Sequence, residues 1–465
     1  MLRRRTDYFT PRSDPRAARL PASPAPNSLR DLAPLARIGA IADAGSVVAR
    51  TALGPSPHLA RFGLALRDDD GVAIASAKLG GAPVLIAAQD ARYLAGSVGE
   101  RHGAALAAMF DAARRDRASA IVLLLASGGV RLHEANAAEL ALARALRALL
   151  DARMAGIPVV ALAVGNVFGG TSVLACAADR FAMLPSSRLG LSGPKVVESV
   201  HGAWELDASD ARDVDAVYGA QARQRAGLVE LVADDAHAIR AWIVRAVRER
   251  DDFEAAVLAT QARLARRVEG DAVQSPAFAA LPCFADAAPV DAARLLWRAP
   301  RCWLTRPHTA TTVGPADAHA LDAALLANVA VPRATRPALV IVEDSAGHTV
   351  SRAAEMKLVS HYLAHHASVL ALLRAKGTPQ VGLLAGIGHS AAFFSNALQA
   401  DRLYALTAAR VVAMEPAAVA RVTGIAAASL VEDDPLLGQP VRHFAAQGGV
   451  TAILEEATVD AMGIA

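Results

Sequence analysis

Apolar and polar positions alternate along this chain in two rhythms that recur in order. Pro83–Gln89, Ala120–Ala126 and Ile157–Val164 are short, continuously apolar runs. Each is followed by a glycine-bearing turn and then a stretch with helical spacing. Continuous apolar runs of this length fit strands buried on both faces, and strands alternating with helices predict right-handed parallel βαβ units. The glycine-bearing segments are Ala95-Gly96-Ser97-Val98-Gly99, Ser127-Gly128-Gly129-Val130-Arg131 and Gly165-Asn166-Val167-Phe168-Gly169-Gly170. Helices are predicted over about Glu100–Arg115, from Leu132–Asn136 to Met154, and over Thr171–Ala178. Ahead of them, Ser28 to about Leu53 reads as one helix with an apolar face. Phe62–Leu66 and Val72–Ala75 read as alternating edge strands. Residues from Asp207 to Leu264 read as helical and charged.

The pattern then restarts. Pro337–Val342 is a predicted strand with Glu343–His348 as its turn, followed by a helix over Ser351–Lys376. Pro379–Ala385 is the next strand, Gly386-Ile387-Gly388-His389-Ser390 its turn and Ala391–Ala400 its helix. An Ala-Asp-Arg step enters a short strand at Ala178-Asp179-Arg180 and again at Ala400-Asp401-Arg402. This is a repeat of architecture with modest identity of sequence. The proline-bearing stretch between the halves reads as a linker. The expected organisation is a basic tail over 1–27, a first domain over 28–268, a linker over 269–302 and a second domain over 303–465.

Composition narrows the function. The chain has 465 residues, 54% of them hydrophobic but only 4% aromatic, so small aliphatic residues must fill the cores. A formal charge of +3 argues against a broad nucleic-acid-binding face. Cys176, Cys283 and Cys302 are isolated from one another, which disfavours zinc ribbons and iron–sulfur sites and fits a reducing, cytoplasmic setting. No apolar run approaches the roughly 18 residues of a membrane span.

The turns carry the candidate chemistry. Two glycine amides at a strand-to-helix turn can converge on one oxygen, the geometry of an oxyanion hole. A helix N-terminus adds to the field there. The Gly128/Gly129 and Gly169/Gly170 pairs are the candidates, and the enolate of a thioester is the matching charge; no metal is called for. His133, His348 and His389 lie at or just after turns, where an imidazole could protonate a carbanion. Arg131, Arg188 and Lys195 are candidates for the phosphates of a long thioester carrier. Tight helix–strand packing also favours glycine pairs, so each pair admits a structural reading as well. No Gly-x-Ser-x-Gly elbow and no P-loop is present.

The segments 127–136, 165–170 and 188–194 resemble the β subunit of biotin-independent malonate decarboxylase. The region from about Trp303 to Gly463 is similar to its γ subunit. The resemblance implies an α/β protein of two crotonase-fold, carboxyltransferase-type domains with spiral ββα units, fused in one chain. It implies decarboxylation of malonyl thioester on an acyl carrier protein to acetyl thioester. The carrier would supply a phosphoribosyl-dephospho-coenzyme A arm, and a separate transferase subunit would reload it. Carried over residue by residue, Gly128, Gly129, Gly169, Gly170, Gly388 and His389 are the catalytic set. Gly96, Ser97, Ser127, Arg131, Arg188, Ser192, Gly193, Lys195 and Ser390 are the substrate-binding set. A homo-oligomer is compatible with this reading. The γ family's Ser-Gly pair appears here as Ser390-Ala391, and its Asp-Thr-Pro-Gly-Gln-type turn as Asp344-Ser345-Ala346-Gly347-His348. No Met-Lys-Met biotin attachment signature occurs. Two other functions remain open: carboxyl transfer to a biotin carried on another protein, and a non-catalytic scaffold that binds acyl carriers.

Overall fold

The computed structural model describes residues 28–268, 284, 286–291, 294–299, 301–305, 311–329, 331–428, 434–455 and 459. The tail expected over 1–27, Cys283 and the larger part of the expected linker lie outside these residues.

Two seven-stranded sheets dominate. The first runs in chain order: β1 (Val48–Ala49), β2 (Val72–Leu79), β3 (Ala82–Gln89), β4 (Ala120–Ser127), β5 (Val159–Val167), β6 (Arg180–Met183) and β7 (Glu230–Leu231). Its first three strands pair antiparallel; β3 to β7 are parallel. Helix α1 (Pro34–Ile41) precedes the sheet. The crossover helices are α2 (Glu100–Asp116), α3 (Ala135–Met154) and α4 (Gly170–Cys176). Helices α5 (Pro194–His201), α6 (Ala211–Tyr218) and α7 (Ala220–Arg225) lie between β6 and β7, and α8 (Ala236–Arg248) and α9 (Phe253–Ala265) follow β7.

The second sheet repeats the plan with β8 (Ala288–Pro289), β9 (Leu296–Arg298), β10 (Cys302–Thr305), β11 (Ala338–Glu343) and β12 (Gln380–Leu384). Beyond the short strand β13 (Ile387–His389), β14 (Arg402–Leu406) continues it; β15 (Arg410–Val412) pairs with β13 in a separate two-stranded sheet, and β16 (Ala452–Leu454) forms the edge. Again the antiparallel strands come first, β8 to β10, and parallel strands follow. Its helices include α10 (Pro315–Ala327), α11 (Arg352–Met356), α12 (Val359–Ala375) and α13 (Ser390–Ser395).

The buried parallel strands follow from their composition. All eight residues of β4 are buried, as an uninterrupted apolar run requires. Several expected elements differ. The helix expected over Ser28–Leu53 is only α1, because the chain turns at Gly45 (φ +68°) and enters β1. Phe62–Leu66 is no strand: a 3₁₀ turn over Leu59–Phe62 ends at left-handed Gly63; Val72–Ala75 does fall in a strand, β2, but β1 covers it and forms the edge. The helix expected over Ser351–Lys376 breaks into α11 and α12 at Leu358, whose φ is +67°. The second sheet begins at β8 and β9, inside the stretch expected as linker, because Leu296 and Trp297 are buried and pair with β10.

The halves share one core. Leu142, Val173, Leu174 and Ala175 of α3 and α4 cluster with Leu363, Ala364, Ala367 and Ala371 of α12 and Phe394 of α13. Alanine at these positions lets helices from different sheets approach closely. A Cβ on Gly170 would meet Leu142 Cδ2 at 2.6 Å and Phe394 Cε1 at 3.6 Å. This shared layer brings the turn regions of the two sheets toward one another.

Candidate active site

The first turn follows β4. Gly128 N–H donates to the Ala95 carbonyl (2.8 Å), and Gly129 N–H to Ser127 Oγ (3.1 Å). Gly169 N–H donates to the Leu191 carbonyl (3.0 Å). These three amides, expected to face a substrate oxygen, are therefore occupied within the chain. The glycines serve close approach instead. Gly129 (φ +102°) and Gly169 (φ +60°) lie backbone to backbone, and a Cβ on Gly169 would sit 2.8 Å from Gly129 Cα. Both a left-handed φ and the lack of space demand glycine.

The contact sets two other amides side by side. Val98 N–H donates to the Gly129 carbonyl and Arg131 N–H to the Val98 carbonyl, which turns the Val130 N–H away from that neighbour. A Cβ on Gly169 would lie 3.6 Å from Val130 N. Gly170 is the first residue of α4, where an N–H has no intrahelical acceptor. Among the described residues, neither the Val130 nor the Gly170 amide has a hydrogen-bond acceptor. An unspent pair of donors next to a helix N-terminus favours negative charge at that point.

The second half repeats this frame. Gly347 N–H reaches Ser345 Oγ at 3.4 Å, Ala346 N–H donates to the Thr311 carbonyl, and Val313 bridges His348 as Val98 bridges Val130. Gly347 keeps a positive φ of +90°. The glycine segment expected as a turn at Gly386–Ser390 contains β13, parallel to β15, as Val167 bridges Leu189. Gly388 thus corresponds to Val167 and lies in a ladder, His389 corresponds to Phe168, and Ser390-Ala391 to Gly169-Gly170. Ser390 takes the left-handed conformation of Gly169 (φ +53°) with a side chain attached. The His348 and Ala391 amides have no acceptor among the described residues.

The side chains expected to bind substrate divide sharply. Arg131 is 1% exposed and ion-paired to Asp70 (2.6 Å) and Glu134 (2.8 Å). It also donates to the Ser97 and Asp70 carbonyls, and its one unpartnered donor, Nε, is buried, so the guanidinium is closed to a phosphate. Burial raises the Asp70 pKa to about 6 against the pull of Arg131. Glu134 reaches on to the Glu100 amide, tying the starts of α2 and α3 to the first turn. Ser127 is buried against Thr171 Oγ1 (3.0 Å). Gly96 is buried with φ +67°, and Ser97 Oγ donates to the Leu94 carbonyl. Arg188 makes a surface pair with Asp215 (2.7 Å). Gly193 is the N-cap of α5 and Lys195 is exposed beside it, so these two and Arg188 are the positions open to a bound carrier.

Ser192 is where the halves meet. Its Oγ lies 2.9 Å from His348 Nε2, and its amide donates to Glu355 Oε1 (2.6 Å). Glu355 on α11 also accepts from the Leu191 amide, and Arg223 donates to its backbone carbonyl. Burial raises the Glu355 pKa to about 7, opposed by Arg223 and these amides. This clamp fixes the Gly190–Ser192 segment against Val167–Gly169; its parts come from distant stretches, and no local spacing in the sequence marks it. Burial lowers the pKa of His348 to about 3, with His389 adding to the shift. Burial likewise lowers that of His389, against Glu415 and the Ala346 backbone. His133 stacks edge-on against Phe62, and burial lowers its pKa too. No group of three or more metal-ligating side chains occurs among the described residues. No helix among them is long and apolar enough to cross a membrane.

Residues 32–260 match the carboxyl transferase domain and residues 309–462 the malonate decarboxylase gamma subunit. A relative in Malonomonas rubra, the malonyl-S-ACP:biotin-protein carboxyltransferase MADC, is 33% identical over 210 residues, covering 42% of this chain and 64% of the relative. The beta/alpha carboxyl transferase subunits of acetyl-coenzyme A carboxylase from a Parafrankia strain are 33% identical over 130 residues, 28% of this chain and 21% of the relative. The chain thus spans less than two thirds of the length of these relatives. A Pseudomonas malonate decarboxylase hetero-tetramer solved with malonate is 34% identical to 48% of this chain, covering 84% of its own, with a TM-score of 0.46. The chain thus joins a carboxyl transferase domain and a malonate decarboxylase γ-type domain, both of α/β architecture, in one polypeptide.

Proposed function

We propose that the chain decarboxylates malonyl thioester, with the enolate oxygen held by the Val130 and Gly170 amides. The observation that carries this reading is the unspent amide pair, held together by the Gly129–Gly169 backbone contact. When the bond from the malonyl α-carbon to its carboxylate breaks, carbon dioxide leaves and the electron pair enters the enolate. The charge then rests on the thioester oxygen, where two fixed donors stabilise it more than they stabilise the neutral carbonyl. One such donor contributes roughly 3–4 kcal/mol in other enzymes. Water returns a proton to the carbon: His348 and His389 are held neutral at neutral pH, which makes them poor acids.

The substrate proposed is malonyl on an acyl carrier protein, carried on a phosphoribosyl-dephospho-coenzyme A arm and reloaded by a transferase subunit. Lys195, Gly193 and Arg188 border the approach. The match to the malonate decarboxylase gamma subunit supports this choice. The Malonomonas rubra relative's name favours a second reading, in which the carboxyl group passes to a biotin protein. Malonyl-loaded carrier incubated with the full chain separates the two. Acetyl thioester formed without any biotin protein supports decarboxylation; product formed only with a biotinylated acceptor moves the assignment to carboxyl transfer. Saturable carrier binding with no turnover under either condition would make the chain a scaffold.

A further inference from the structure

Under the second turn lies a buried polar chain that starts from a position occupied by a core residue in the first half. Glu343 ends β11 two residues before Ser345; the matching position before Ser127 is Leu125, a core residue. Glu343 is 2% exposed. Its Oε1 accepts from Ser345 Oγ (2.7 Å) and its Oε2 from Asn396 Nδ2 (2.8 Å). His366 on α12 lies 3.0 Å from Asn396 Oδ1 through Nε2, and 2.6 Å from Asp322 Oδ1 through Nδ1.

These bonds have one consistent sense. Burial opposes the imidazolium of His366, but Asp322, Asn396 and Glu343 together raise its pKa. A charged His366 donates from both nitrogens, to Asp322 and to Asn396 Oδ1. That fixes the Asn396 amide with its NH₂ toward Glu343. With donors on both oxygens, Glu343 fits as a carboxylate; a proton on it would face Ser345 O–H or Asn396 N–H. Ser345 Oγ, its proton spent on Glu343, is left to accept from the Gly347 amide (3.4 Å).

The other charged groups around Glu343 are Asp344 beside it in the chain and Glu139 on α3 of the first half. Glu139 is 2% exposed and its Oε2 has no partner. An ionised carboxylate buried in that state is prohibitive, so Glu139 is the member that stays protonated. Burial and then the charge of Glu343 raise its pKa well above the usual carboxylate range. Burial also raises the pKa of Glu343, to about 7, against the pull of Ser345 and Asn396.

We propose that ionised Glu343 is a positioning residue for the second turn, holding Ser345 and through it the Gly347–His348 peptide, while Glu139 from the first half stays protonated beside it. The proposal rests on the proposed thioester decarboxylation and gives a part in it to the second turn, whose His348 and Ala391 amides repeat the unspent pair of the first half. It predicts that turnover falls as pH drops through about 7, because protonating Glu343 breaks one of its two accepted bonds. Glu343→Gln mimics the protonated form: its NH₂ opposes a donor. It should lower kcat by about 10- to 100-fold, the effect of one or two hydrogen bonds lost from a buried site, with KM for the carrier within about threefold. Its kcat should lack the acid limb near pH 7, and Glu343→Asp should restore part of the rate together with the limb. Wild-type kcat and an intact limb in Glu343→Gln would overturn the proposal. The ¹³Cδ-glutamate NMR titration of the wild-type full chain needs neither turnover nor a folded variant. A Glu343 signal titrating near pH 7, in step with the His348 amide, supports the proposal. A Glu343 carboxyl still protonated above about pH 8, or a His348 amide that does not follow its titration, contradicts the proposal. Absence of turnover in the wild type would count against the functional reading alone, and the titration then decides.

Discussion

The turns Ser127-Gly128-Gly129-Val130 and Ser345-Ala346-Gly347-His348 share a hydrogen-bond frame but only one glycine. The glycine kept in both is the one with φ near +100° and +90°, Gly129 and Gly347. The other is replaceable: Gly128 and Ala346 each spend the amide on a neighbouring carbonyl, and only a Cβ is added. What a turn needs from glycine is thus the left-handed backbone and the close approach. In the proposed site the donor to a ligand is the next amide along, which any residue but proline supplies. The halves differ more in what lies beneath. The first turn stands on Leu125 and an uninterrupted apolar strand, the second on Glu343 and its polar chain. In the first, Gly129 meets Gly169 backbone; in the second, Gly347 meets the His389 imidazole, with Nδ1 3.1 Å from where a Cβ would be.

Substitutions can break this comparison at several strengths. Gly169→Ala should be the most severe, since it forces a side chain into left-handed backbone against Gly129. Strain and overpacking together should lower unfolding free energy by about 2–5 kcal/mol, read by urea denaturation, and abolish turnover. Arg131→Met leaves Asp70 and Glu134 buried without a cation and should lower stability by about 3–5 kcal/mol. Urea denaturation as a function of pH should show part of that loss recovered in mild acid, where Asp70 protonates. Ser390→Gly installs the residue type of the corresponding Gly169 at a left-handed position and should stabilise the chain by about 1 kcal/mol. A fall in midpoint would show that the Ser390 side chain has a role its backbone strain conceals. Arg188→Ala removes a surface pair and should change stability by at most about 1 kcal/mol, while KM for the carrier rises if Arg188 meets its phosphates.

Much of the architecture was legible in the hydrophobic rhythm. The buried strands β4, β5, β11 and β12 are apolar runs, and the Ala-Asp-Arg step marks equivalent strand entries in both halves. The misreadings share one cause: an apolar pattern does not report backbone dihedrals. Leu358 breaks a helix whose apolar spacing runs straight through it, and Leu296–Trp297 joins a sheet from within proline-bearing sequence. At the site, the glycines were legible but their use was not. Whether an N–H is free depends on a carbonyl some 30 residues away, as Ala95 is from Gly128. Arg131, singled out for its charge, is consumed by Asp70, 61 residues away. Glu343 reads as the polar end of a strand, and only the fold places Asn396, His366 and Glu139 around it.

The central claim is that an N–H at position 170 holds the reacting oxygen. Proline is tolerated at the first residue of a helix and takes away that N–H, whereas alanine keeps it. Both add a Cβ facing Leu142, so their difference isolates the amide. The direct measurement is kcat for malonyl-carrier decarboxylation by Gly170→Pro and Gly170→Ala, with folding of both checked by circular dichroism. The account predicts Gly170→Pro slower than Gly170→Ala by about 10²–10³-fold. Equal rates in the two folded variants would contradict it.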